Sequence, residues 1–166
     1  QGGAWNDTVN VSATASPPGK SYPYTSLYFS PRVFPVAVGE TVTNNYTASG
    51  TVRFQVNITG AAYSNWYAYA YATKSAAAGQ EQTSSSSYAY KYYSPDGAWD
   101  MPVVPNDQVR IYAYVYVDNQ TYLFWYSAPN LRYENIAADQ TLVVPLDIVH
   151  VVPHCRNGIK DADETG

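Results

Sequence analysis

Val109-Arg110-Ile111-Tyr112-Ala113-Tyr114-Val115-Tyr116-Val117 decides how this chain folds. Its odd positions are aliphatic, and Tyr112, Tyr114 and Tyr116 take even ones. Successive side chains of a β-strand point to opposite faces, so a period of two separates the sets. The aliphatic set suits a core, which leaves the phenols on the other face. Tyrosine is amphipathic and has little rotamer freedom to lose, so such a face is suited to contact.

The pattern recurs outward from this stretch. Of 18 Tyr, 13 fall between Tyr63 and Tyr126. Tyr67, Tyr69 and Tyr71 alternate with Ala68, Ala70 and Ala72, and Tyr88, Tyr90 and Tyr92 resume the alternation. Tyr122 and Tyr126 follow a tight hairpin signal at Asp118-Asn119-Gln120. These eight, together with Tyr112, Tyr114 and Tyr116, make eleven tyrosines expected on one sheet face, where cross-strand rings meet. The face is then a platform for sugar rings or for a neighbouring subunit, or else the rings pack under loops or a second sheet.

Other segments fill in the fold. Val52, Phe54, Val56 and Ile58 face one way, while Thr51, Arg53, Gln55, Asn57 and Thr59 face the other. Leu142, Val144, Leu146 and Ile148 repeat that pattern near the end. Pro31 and Pro35 interrupt the runs around them and predict edge strands or irregular crossings. Residues 74–87, rich in Ala and Ser, read as a flexible surface loop. No helical period of useful length occurs. The expectation is all-β: an antiparallel two-sheet sandwich of roughly eight to ten short strands. Residues 1–16 form an N-terminal extension, 17–149 the sandwich, and 150–166 a C-terminal tail. In the extension Val9, Val11 and Ala13 alternate with polar residues before Pro17-Pro18-Gly19. This strand either adds to a neighbour's sheet edge or pairs within its own sheet.

Composition excludes several functions. Charged residues are 13%, about half the usual share. The net charge of −4 and nine scattered Lys and Arg disfavour nucleic acid and anionic membranes. No apolar run is long enough to span a bilayer. Low charge with abundant Tyr, Ser, Thr and Asn fits an extracellular or cell-surface protein. The opening Gln1-Gly2-Gly3-Ala4-Trp5 reads as a processed terminus or an arbitrary boundary. Asn6, Asn10, Asn45, Asn57 and Asn119 each start an N-x-S/T sequon, either for glycosylation or as a by-product of Thr-rich strands. Two His close together at one end offer no Ser-His-Asp arrangement, so neither enzyme activity nor a cofactor is expected. His150 and His154 share a parity near Cys155, but structural zinc needs four ligands at recognised spacing. Cys155 is alone, so no internal disulfide can form.

Two stretches carry resemblances. Gly50-Thr51-Val52, Pro95-Asp96-Gly97 and the hairpin from Val109 to Ser127 occur in an order that resembles the carboxypeptidase-regulatory or transthyretin-like group of immunoglobulin-type sandwiches. This resemblance spans residues 50–149 and implies a fold, with little said of function. Cys155, Asn157-Gly158, Asp161 and Glu164-Thr165-Gly166 resemble the start of a short motif in secreted bacterial proteins. That resemblance implies a bacterial extracellular setting and a disulfide from Cys155 to a residue outside this sequence. Asp161, Asp163 and Glu164 are either hard oxygen ligands for Ca²⁺ or a solvated tail. The leading expectation is a non-enzymatic structural protein, a fibre subunit or adhesin, that self-associates through its tyrosine face. The alternative is a carbohydrate-binding module anchored on Trp5, Trp66, Trp99 and Trp125, with polysaccharide as partner. A third reading is electron transfer along the tyrosine rows.

Overall fold

The computed structural model describes residues 7–15, 23–36, 39, 41, 43, 48–74, 83–105 and 108–152. They form ten strands: β1 (Asp7–Ala15), β2 (Tyr24–Val36), β3 (Gly50–Gly60), β4 (Trp66–Thr73), β5 (Thr83–Tyr90), β6 (Ala98–Val103), β7 (Gln108–Val117), β8 (Gln120–Phe124), β9 (Arg132–Asn135) and β10 (Thr141–His150). The larger sheet runs β1-β2-β5-β4-β7-β8 with β9 also on β7, and the smaller runs β10-β3-β6. β8 and β9 pair with successive lengths of β7, so they act as one edge strand interrupted at 125–131. Among the described residues no helix is long and apolar enough to cross a membrane. The chain is an all-β two-sheet sandwich.

Alternation builds the core. Val109, Ile111, Ala113, Val115 and Val117 of β7 are buried, as are Val52, Phe54 and Val56 of β3 and Val144, Leu146 and Ile148 of β10. Ile58 and Leu142 pack partly buried against them. The larger sheet offers small inner residues at its centre, Ala68, Ala70, Ala72 and Ala113. The smaller sheet fills the space with Phe54, Trp99 and Met101. Large against small lets two sheets interdigitate at ordinary packing density. Trp99 stacks on Phe54 at 5.3 Å and meets Trp66 of the other sheet at 6.2 Å.

Three expectations are corrected here. The Ser-rich segment is no loop along its whole length: residues 83–87 belong to β5, and Ser85 and Ser87 point into the core. Trp99 Nε1 donates to Ser87 Oγ at 2.7 Å, giving the buried indole its partner. Ser86 on the outer side meets Ser26 of β2 at 3.1 Å. The sandwich is also not purely antiparallel, because β10 runs parallel to β3 from Thr141↔Thr51 to His150↔Gly60. No hairpin joins these strands, so nothing forces them antiparallel. Their starts are tied by Thr51 N–H to the Gln140 carbonyl at 2.9 Å and Asp139 N–H to the Ser49 carbonyl at 3.1 Å. Finally, His150 closes β10 and is buried, so the sandwich extends past residue 149.

Turns fix the registers. Asp118 and Asn119 have φ of 45° and 73°, the two-residue turn whose twist suits a hairpin. The Asp118 carboxylate accepts from Ser64 N–H at 2.9 Å and Asn65 N–H at 3.0 Å, pinning the β3–β4 connection. Those backbone donors hold its carboxyl below the usual value. Gly97, at φ 73°, closes the expected Pro95-Asp96-Gly97 turn and gives its carbonyl to Val56 N–H at 2.9 Å.

Edges are handled unequally. The carbonyls of Gln140 and His150 accept from Thr51 N–H at the start of β3 and Ala61 N–H just past its end, so even positions of β10 face that partner. Pro145 is odd, and its missing donor therefore falls on the outer edge, where it costs no ladder bond. At the opposite extreme, β1 pairs antiparallel with β2 of its own chain, with Val9↔Phe34, Val11↔Arg32 and Ala13↔Phe29 in register. The segment read as an N-terminal extension thus lies in the same sheet as the body.

Candidate functional site: a tyrosine face

β4 occupies the middle of the larger sheet, and because Ala68, Ala70 and Ala72 face inward, Tyr67, Tyr69 and Tyr71 face out. Register sets their neighbours. One row is Tyr90, Tyr67 and Tyr116; the next is Tyr24, Tyr88, Tyr69 and Tyr114; a third holds Tyr71 and Tyr112 beside Ser86. Strand spacing and rise give the field about 20 Å on each side. Among the described residues no element lies over it.

The rings stack on one another. Tyr67 and Tyr116 lie 4.5 Å apart at 17°, and Tyr71 and Tyr112 lie 4.9 Å apart at 13°. Tyr69 sits between Tyr88 at 4.3 Å and Tyr114 at 5.2 Å. At the margins Tyr92 stacks on Tyr90 at 5.2 Å, and Tyr126 meets Tyr112 edge-on at 5.7 Å. The central rings are half-buried by each other, whereas Tyr92 and Tyr126 are 64% and 55% exposed. Stacked neighbours hide ring faces and leave ring edges and hydroxyls outward.

Hydroxyls also meet. Tyr71 and Tyr114 share a hydrogen bond at 2.9 Å. Crowding pushes the Tyr114 phenol well above the usual range, first by desolvation and then by that bond. Tyr88 is raised likewise, by desolvation and by hydrogen bonds with Tyr90 and Tyr69. Burial among neighbouring rings raises Tyr67 too. All three stay protonated at neutral pH. Arg110 lies over the Tyr112 ring at 4.8 Å, placing a cation at one border of the field.

Ten of the eleven expected tyrosines thus form one connected group: Tyr67, Tyr69, Tyr71, Tyr88, Tyr90, Tyr92, Tyr112, Tyr114, Tyr116 and Tyr126. Tyr122 does not join it. The two-residue turn pairs Val115 with Tyr122, and directly opposed residues share a face, so Tyr122 points inward. Its hydroxyl donates to Gln120 Oε1 at 3.0 Å and lies 3.1 Å from His150 Nδ1. Sequence reasoning missed five surface members, one of them Tyr93, which is exposed and lies 4.3 Å from the Tyr92 ring. Tyr24 and Tyr28 of β2 are exposed opposite Tyr88 and Ser84, Leu123 is exposed opposite Tyr114, and Tyr133 is exposed opposite Arg110. The usable signal was Tyr24-x-Ser26-x-Tyr28, a period of two around Leu27.

Other candidates separate out. Trp66 and Trp99, named as sugar anchors, are core residues, and Trp125 lies under Arg132 at 5.1 Å. Asn57 gives its amide to Asp147 Oδ1 at 2.7 Å on the outer face of the smaller sheet. Trp5, His154, Cys155, Asp161, Asp163 and Glu164 lie outside the described residues. Among the described residues, no three His, Cys, Asp or Glu side chains gather as a metal site. No family model, curated protein or solved structure matches this chain, so the site is read from its own geometry.

Proposed function

We propose that this chain is a non-enzymatic extracellular structural subunit that self-associates through the tyrosine face, as part of a fibre or an adhesin. One observation carries the reading: a broad sheet face of mutually stacked phenols, open among the described residues. Each phenol both donates and accepts a hydrogen bond, so a second copy of the same surface is chemically complementary to it. The field approaches the patch that one partner contributes to a small specific interface. Burying it requires little charge desolvation, since its phenols are neutral.

Sugar binding is supported less well. A sugar ring stacks on an open aromatic face, and here the central faces are occupied by other tyrosines. Two of the proposed indole anchors are in the core.

Replacing Tyr112, Tyr114 and Tyr116 together by Ser tests the assignment, with sedimentation velocity over a concentration series and circular dichroism as readouts. Loss of association with retained β signal supports it. Unchanged association overturns it, and reduced retention on insoluble polysaccharide would then move the function to sugar binding. An unfolded triple variant would show the rings to be core and overturn it as well.

A further inference from the structure

We propose that the tyrosine face is also a redox relay, carrying a one-electron oxidising equivalent between its Tyr126 and Tyr92 ends. This goes beyond self-association and applies to a single copy. The described contacts make an unbroken line: Tyr126 to Tyr112 at 5.7 Å, Tyr112 to Tyr71 at 4.9 Å, Tyr71 to Tyr114 at 5.8 Å, Tyr114 to Tyr69 at 5.2 Å, Tyr69 to Tyr88 at 4.3 Å, Tyr88 to Tyr90 at 4.4 Å and Tyr90 to Tyr92 at 5.2 Å. Both terminal rings are exposed and the middle ones are half-buried. An oxidant in solution therefore meets the ends first, and rings in contact pass the equivalent inward.

The steps balance within the phenols. An external one-electron oxidant, such as a photogenerated Ru(III) polypyridyl, takes an electron from Tyr126, whose hydroxyl proton goes to water. The product is a neutral phenoxyl radical. Each later step returns one electron and one proton to the radical and takes the same pair from the next phenol, so nothing is consumed. Where hydroxyls touch, as between Tyr71 and Tyr114 at 2.9 Å, the proton crosses directly. Elsewhere water at the half-exposed hydroxyls accepts and returns it. A radical reaching Tyr92 is trapped there by an added spin trap.

Tyr114 is a bottleneck. Among the described ring contacts it alone joins Tyr71, Tyr112 and Tyr126 to the β5 side, through Tyr69 and Tyr116. Tyr67 lies beside the line rather than on it.

The experiment tethers a Ru(II) polypyridyl to Ser127→Cys, in a Cys155→Ser background so that the label has one thiol. A light flash with an electron-accepting quencher generates Ru(III) beside Tyr126, and nitroso spin-trap adducts are mapped by peptide mass spectrometry. The expected result is adducts at Tyr90, Tyr92 or Tyr93 whose yield does not change on dilution. The double variant Tyr71→Phe with Tyr114→Phe keeps both rings and leaves no hydroxyl orphaned, and it should abolish those distant adducts while Tyr112 and Tyr126 still react. Tyr67→Phe should leave them in place. Adducts confined to Tyr112 and Tyr126 in the parent, or distant adducts that survive the double Phe variant or depend on concentration, would overturn the relay. Because the yields are read at concentrations where the chain is dilute, failure here leaves the assembly proposal standing, and failure of assembly leaves this one.

Discussion

The two outer faces of the sandwich meet water in different ways. On the smaller sheet the main polar contacts are local pairs. Arg53 forks onto Asp100 at 2.7 and 2.8 Å, and Asn57 bonds Asp147 at 2.7 Å. On the larger sheet the central outward residues are mostly phenols, satisfied in part by one another. Both sheets turn apolar residues inward, with Thr25, Ser85 and Ser87 as buried polar exceptions on the larger one, so the core makes no demand that explains this difference. Paired charges finish a surface, because the strongest donors already have their acceptors. Stacked phenols present a continuous field of edges and hydroxyls that another surface can still engage. The exposed Val143 and Val149 on β10 do not change the contrast, as single apolar residues are ordinary on a surface.

The largest expected effect lies beneath both faces. Ile111 is fully buried directly under the tyrosine field, and Phe54 is fully buried under the charged face. Ile111→Ala should cost about 2–5 kcal/mol and Phe54→Ala about 3–5 kcal/mol in urea unfolding. Comparable losses would show that one core serves both sheets. A loss under about half a kcal/mol at Ile111, far below the usual range, would mean that the face of β7 is assigned wrongly.

Next comes the contact between the sheets. Ser87→Ala removes the acceptor of the Trp99 indole while leaving the indole buried. Stranding a buried donor should cost about 1–3 kcal/mol, with a changed tryptophan signal in near-ultraviolet circular dichroism. Unaltered stability would place the indole near another acceptor or water.

A third test uses pH and addresses the tyrosine face alone. The folded Tyr88 and Tyr114 hold their protons above the ordinary phenol value of 10.0. The folded state therefore binds these protons more tightly than the unfolded chain. Their contribution is fully present below pH 10 and is lost as pH rises beyond it toward the folded values. Thermal midpoints should thus fall above about pH 10, and Tyr88→Phe with Tyr114→Phe should flatten that decline. An equal decline in the Phe variant would assign the alkaline sensitivity elsewhere.

Legibility in the sequence followed periodicity. β3, β4, β7 and β10 alternate cleanly, and their inner and outer sets follow from a period of two. What stayed hidden depends on partners. Ser84 to Ser87 resemble a linker because serine has no apolar signature, and only the facing Trp99 and pairing with β2 and β4 make that segment a strand. Tyr122 is expected on the face of the other tyrosines, but face across a hairpin follows the turn, and Asp118–Asn119 sets Tyr122 against Val115. Tyr24 follows Pro23, which signals a loop, yet β5 recruits it to the field. Parallel pairing of β3 with β10 is a long-range choice that no local pattern encodes.

The smallest effect is expected on the charged face, and it sharpens the comparison most directly. Arg53→Gln with Asp100→Asn removes both charges while keeping side chains of similar size. Both residues are exposed, so water and salt already screen them, and holding two long side chains in one geometry carries an entropy cost. The Thr25 hydroxyl bond to Asp100 uses the backbone carbonyl and survives the change. The unfolding midpoint should therefore match the parent within error, and sedimentation should show unchanged association. If association were lost here and kept when Tyr112, Tyr114 and Tyr116 become Ser, the smaller sheet would be the contact surface and the roles of the two faces would reverse.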